Sequence, residues 1–157
     1  MKNHLPTLTA AAVAALFSLT ASAGEKEIHA KQVPQVVHEA FQKAHPAAKD
    51  AKYYEEAKNG QTAYEIEYRE GGKKFEASYG TDGAPIKTEQ AIKTTELPQK
   101  VLDTVKKDHP KAMLKEAEKV VKANGVESYE VGIVDGKSRL ELELDPEGTL
   151  LGTEPGK

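Results

Sequence analysis

The chain recurs within itself. Val33-Pro34-Gln35 returns as Leu97-Pro98-Gln99, and His45-Pro46 as His109-Pro110. After one inserted residue the recurrence continues. Asn59-Gly60 aligns with Asn124-Gly125, Tyr64-Glu65 with Tyr129-Glu130, Gly71 with Gly136, Gly83 with Gly148, and Thr88-Glu89 with Thr153-Glu154. Helix ends, strand residues and turn glycines that align in one order are the signature of a duplicated unit.

Each stretch opens with a helical period. Val33, Val36, Val37, Ala40, Phe41 and Ala44 form one apolar stripe, and Leu97, Val101, Leu102 and Val105 form the second. Lys100, Asp103, Lys106 and Lys107 occupy the opposite side of the second helix, which makes it a surface element. Pro34 and Pro98 suit a first helical turn, and Pro46 and Pro110 close each helix. The period then changes to two. Tyr64, Ile66 and Tyr68 alternate with Glu65, Glu67 and Arg69, and Phe75, Ala77 and Tyr79 with Lys74, Glu76 and Ser78. Tyr129, Val131 and Ile133, then Leu140, Leu142 and Leu144, repeat the scheme. Such alternation predicts antiparallel strands with one buried and one wet face.

Both Asn-Gly pairs read as hairpin turns in which both central residues take positive φ. Asp145-Pro146-Glu147-Gly148 fits a type I turn. Further strands are expected near 52–57 and 115–122, before each Asn-Gly, and a short one after each late glycine. The expected fold class is therefore α+β: a tandem duplicated unit of one helix followed by three or four antiparallel strands, helices packed on one sheet face. The units are expected at 33–96 and 97–157, after a flexible N-terminal segment at 24–32. Edge-to-edge joining of their sheets is favoured because it removes two exposed edges.

Residues 1–23 read as a signal peptide. Lys2 precedes an uncharged run from Leu8 to Leu19, and Thr20-Ala21-Ser22-Ala23 supplies small residues for cleavage after Ala23. That run is too short for a membrane anchor, and no later one approaches the necessary length. A periplasmic or secreted protein without membrane insertion is expected after cleavage. Composition narrows the function. The absence of Cys excludes disulfide scaffolds, zinc-thiolate sites and thiol catalysis. With 22 Lys+Arg against 25 Asp+Glu, the chain lacks the basic excess of a nucleic-acid binder.

Tyr129-Glu130-Val131-Gly132-Ile133, Asp135-Gly136-Lys137 and the run Leu140 to Gly148 (LELELDPEG) together resemble the strand-turn-strand signature of PepSY-like domains. More closely, they resemble the small exported group described as beta-lactamase-inhibitor-like. Tyr64-Glu65-Ile66-Glu67-Tyr68 and Asp82-Gly83 are a weaker copy. The resemblance implies an antiparallel sheet packed by a helix, often duplicated. It also implies a non-enzymatic role in restraining proteases or binding envelope partners. It brings no catalytic residues, and the absence of Trp argues against inhibition of a beta-lactamase.

The candidate partner-binding surface is the outer sheet face, with Glu65, Glu67, Glu76, Glu130, Glu141 and Glu143 beside Arg69, Lys74 and Arg139. It would steer a basic protein partner, such as an exported peptidase or other envelope enzyme. Alternation alone also explains these residues as a solvated face. As outward residues they are expected to be hydrated, which disfavours paired-carboxylate catalysis. His29, His38, His45 and His109 lack metal-ligand spacing. The tyrosines read as core, and Ser78, Ser128 and Ser138 have no His and acid at motif spacing. Lys106 through Lys122, with Glu116 and Glu118 interleaved, reads as solvated surface. No cofactor, metal site or enzymatic activity is expected. The alternative is a periplasmic small-ligand or metal-binding protein working beneath the helices.

Overall fold

The computed structural model describes residues 25–58 and 60–156. The signal segment and its cleavage site lie outside the described residues, as does Asn59 of the first Asn-Gly pair. Among these residues nine strands run in chain order: β1 (Lys26–Ile28), β2 (Lys49–Lys58), β3 (Gln61–Glu70), β4 (Lys73–Gly80), β5 (Pro85–Ala91), β6 (Met113–Lys122), β7 (Glu127–Asp135), β8 (Ser138–Leu144) and β9 (Leu150–Pro155). They form one sheet in which every strand pairs antiparallel with its sequence neighbours. Among the described residues two α-helices, α1 (Gln35–Ala44) and α2 (Gln99–Asp108), each preceded by a short 3-10 turn (Ala30–Gln32 and Thr94–Glu96), interrupt the meander after β1 and after β5.

This corrects the expected α+β architecture. The molecule is mostly one continuous nine-stranded antiparallel sheet carrying two short helices, not a tandem array of helix-plus-strands units. The decisive pairing is β5 with β6, from Lys87 opposite Lys122 to Ala91 opposite Glu118. Two strands left as edges would expose rows of unpaired backbone groups, and pairing them merges everything into one sheet. The segment expected to be a flexible arm is partly ordered: Lys26–Ile28 pairs with Tyr53, Tyr54 and Glu55 of β2.

The helices end alike because the same residues end them. Pro34 and Pro98 are N-caps with φ near −55°, one position earlier than a first-turn proline, and His45 and His109 are C-caps. One sheet face meets both helices through two separate cores. Val37 and Phe41 of α1 pack with Ile66, Tyr68, Ala77 and Tyr79. Val101 and Val105 of α2 pack with Val131, Ile133, Leu142 and Leu144. Val36 is not part of the stripe, being 48% exposed. The turns dock the helices: a Cβ on Gly83 would lie 2.8 Å from the Val36 carbonyl oxygen, and one on Gly148 would lie 2.5 Å from that of Lys100.

Turn chemistry follows the sequence at 145–148, where the Gly148 amide donates to the Asp145 carbonyl over 2.9 Å. At Asn124-Gly125 only the glycine has positive φ, and its amide donates to the Lys122 carbonyl. The loop is thus a type I turn closed by a left-handed glycine, and not the two-residue hairpin expected. The extra loop residues relieve Asn124 of a left-handed conformation.

Candidate functional site

With both helices on one face, the opposite face is free of them, and strand alternation sends the acidic residues there. Cross-strand register arranges them in rows. Glu67 lies opposite Glu76, and Glu76 opposite Glu89. One row along, Glu118 lies opposite Glu130, and Glu130 opposite Glu143. Like charges directly opposed across a ladder are destabilising. Three lysines on the same face offset them. Lys74 Nζ lies 3.1 Å from Glu76 and 3.6 Å from Glu67. Lys87 Nζ lies 2.7 Å from Glu89 and 3.5 Å from Glu130, and Lys122 Nζ lies 2.8 Å from Glu143.

The centre of this face is dry, which corrects the expectation of a hydrated surface. Glu65 is 7% exposed, Ser78 3%, Glu89 2%, and Val120 and Ser128 are fully buried. Neither α1 nor α2 causes this burial, since both pack on the other face. Wide antiparallel sheets coil, and long side chains lean across neighbouring strands, as Lys87 does from β5 to β7 and Lys122 from β6 to β8. Acceptor oxygens of Glu65, Glu76 and Glu89 lie within 4.8 Å of one another, and those of Glu89, Glu118 and Glu130 do the same.

Burial changes the chemistry of these carboxyls. Desolvation, reinforced by Glu76 and Glu130, pushes Glu118 up to about 7. Desolvation also pushes Glu89 up to about 8, with Lys87 opposing and Glu130 adding to the shift. For Lys87, burial works against its charge, but Glu89 and Glu130 outweigh it and the ammonium is held more firmly than usual. A firmly charged Lys87 at 2.7 Å favours ionised Glu89. The upward shift therefore belongs to the cluster, which retains a proton near neutrality that isolated carboxylates would release. Glu143 moves the other way: burial alone would raise it, but hydrogen bonds from Lys122 and Ser128 hold it below the usual range.

Of the nine residues singled out from sequence, Glu65, Glu67, Lys74, Glu76, Glu130 and Glu143 come together on this face. Glu65 is buried, where an exposed residue was expected. Arg69 and Arg139 are exposed and Glu141 is half-buried, all outside the two carboxylate groups. Sequence reasoning missed Lys87 and Glu89 because β5 had been given no register. It also assigned Glu118 to solvent, whereas its carboxyl is largely withdrawn from water. The alternation of Lys87 and Glu89 with Thr88 and Gln90 was a usable signal for β5. Two of the histidines tie the helix ends to the sheet: His45 Nδ1 lies 2.8 Å from the Tyr68 hydroxyl, and His109 Nδ1 2.9 Å from Asp135.

A family model described as "Putative beta-lactamase-inhibitor-like, PepSY-like" matches residues 20–86 and again 70–152. The chain belongs to this PepSY-like family. Solved structures share the fold of this PepSY-like protein. A DUF2874 family protein from Bacteroides uniformis aligns with a TM-score of 0.65 at 13% identity, covering 78% of this chain and 88% of that one. A "putative periplasmic" protein from Bacteroides eggerthii aligns at 0.66 and 12% identity, with the same 78% and 88% coverage. A BLIP-like protein from Bacteroides fragilis aligns at 0.60 and 19% identity, covering 78% and 86%. At such identities the likeness is one of fold. No curated protein matches the chain.

Proposed function

We propose that this PepSY-like protein is an exported, non-enzymatic binding module that presents its helix-free sheet face to a basic surface of another envelope protein, such as an exported peptidase. One observation carries the reading. Glutamates stand directly opposite one another across β3–β5 and across β6–β8, an arrangement that costs folding energy. The apolar cores lie on the other face, so core packing does not require it. Fixed carboxylates on a broad sheet attract a cationic partner over distance and set its register on arrival.

The family's description as inhibitor-like supports a role without chemistry of its own. Export rests on the signal pattern at 1–23, and the "putative periplasmic" relative agrees with it. The mass of the protein recovered from periplasm tests this part directly, since cleavage after Ala23 leaves Gly24 first. For the binding face, Glu67→Lys combined with Glu141→Lys reverses charge at half-buried positions outside the driest part of the face. In crosslinking capture from periplasmic extract, the parent should retain a partner that this variant and high salt both release. Equal capture by parent and variant, each folded by circular dichroism, would reject the sheet face as the docking surface.

A further inference from the structure

We propose that Glu65, Glu76 and Glu89, with the Ser78 hydroxyl, form a calcium-binding site on the helix-free face of the sheet. This inference does not depend on the identity of any protein partner. Two independent observations carry it. The first is convergence: one carboxylate oxygen from each of β3, β4 and β5 lies within 4.8 Å of the other two. Calcium binds oxygen at about 2.3–2.6 Å, so ligand atoms around one ion stand up to about twice that distance apart.

The second is Ser78. It sits on β4 directly opposite Glu65 of β3 and two positions from Glu76, on the same face. Its Oγ is buried and has no hydrogen-bond partner among the described residues. A buried hydroxyl without a partner is costly, and native structures seldom leave one so. A cation held by the three carboxylates would give that oxygen an electrostatic partner.

Donor chemistry selects the ion. Every candidate ligand is a hard oxygen, and the chain has no cysteine. Four protein oxygens scattered over three strands suit calcium, which takes six to eight ligands in flexible geometry and fills the rest with water. Magnesium demands near-ideal octahedra and gives up its water reluctantly. Lys87 and Lys74 do not neutralise the group. Lys87 is shared between Glu89 and Glu130, and Lys74 between Glu76 and Glu67, so negative charge remains in excess.

Tyr54 allows a direct test. It lies opposite Glu65 across β2 and β3, and the carboxylate of Glu67 is among the charges acting on its phenol. Terbium added to chelator-treated protein should show tyrosine-sensitised emission that saturates at one ion per chain and is displaced by calcium. Tyr54→Phe should dim the emission without changing calcium affinity, and Glu76→Gln should weaken calcium binding at least about tenfold. Ser78→Ala guards against misfolding. It removes an unpaired buried polar atom, so the metal-free melting temperature should hold or rise while the calcium-induced increase shrinks. Three results would each overturn the site: no calcium-dependent change in melting temperature at millimolar concentration, equal stabilisation by magnesium, or parental calcium affinity in both Glu76→Gln and Ser78→Ala. All are read on the isolated protein, so they stand apart from the outcome of partner capture.

Discussion

Glu118, and the carboxyl cluster to which Glu89 belongs, are made reluctant to ionise by the fold, and this sets the response to pH. Unfolded, these carboxyls titrate near the ordinary glutamate value of 4.5, whereas in the fold the cluster around Glu89 is raised to about 8 and Glu118 to about 7. Between those limits the folded chain binds more protons than the unfolded one, so stability is full below 4.5 and is lost as pH rises through 7 and 8. The groups facing Glu89 are Lys87 on its own strand, Glu65 and Glu76 from β3 and β4, and Glu118 and Glu130 from β6 and β7. Glu143 acts oppositely: its lowered value contributes stability above 4.5 that disappears in acid. Thermal melts in chelator should therefore show the midpoint climbing as pH falls from about 9 to about 6. A profile flat across that range would show that these carboxyls are not desolvated. Glu118→Gln removes the charge while keeping the shape, so it should raise the midpoint at about pH 8.5 and flatten the slope.

At the scale of elements, each helix is fixed to the sheet by an apolar stripe and by a turn glycine. Gly148 has φ of 83°, and a side chain there would run into the Lys100 carbonyl of α2. Thr104 of α2 adds a hydrogen bond to the Gly148 carbonyl at 2.7 Å. Gly148→Ala meets both a left-handed backbone and a backbone clash, so it should cost about 1–3 kcal/mol in urea denaturation. Gly136→Ala has positive φ but open space around it, so it should cost less. Equal losses at the two glycines would mean that the turn does not pin the helix. Both helices were legible in the sequence because a stripe of period 3.6 bounded by prolines has few other readings. Val36 was misassigned because periodicity cannot tell whether a residue at the stripe's margin meets the sheet or clears it.

At the scale of the whole molecule, two apolar cores share no buried residue yet hang on one ladder of strands. Ile66→Val in the first and Ile133→Val in the second each remove one buried methylene and should each cost about 0.5–1.5 kcal/mol. Combined, their effects should add to within about 0.5 kcal/mol, because the sites have no common partner. Unfolding should nevertheless remain a single transition, since the β5–β6 pairing makes the sheet continuous. Two resolved transitions in the parent protein would show that this seam is weaker than the rest of the ladder.

Local patterns decided what local physics controls. Alternation placed Ile66, Tyr68, Leu142 and Leu144 against the cores, because a period of two leaves each strand residue only two faces to choose from. Proline and glycine positions likewise marked where helices stop and strands reverse. The surroundings of the outward residues were not available locally. Whether Glu65 or Glu89 meets water depends on how a wide sheet coils and on which side chains of its own and neighbouring strands lean over it. Register and long-range pairing set both, and these exist only once β5 has found β6.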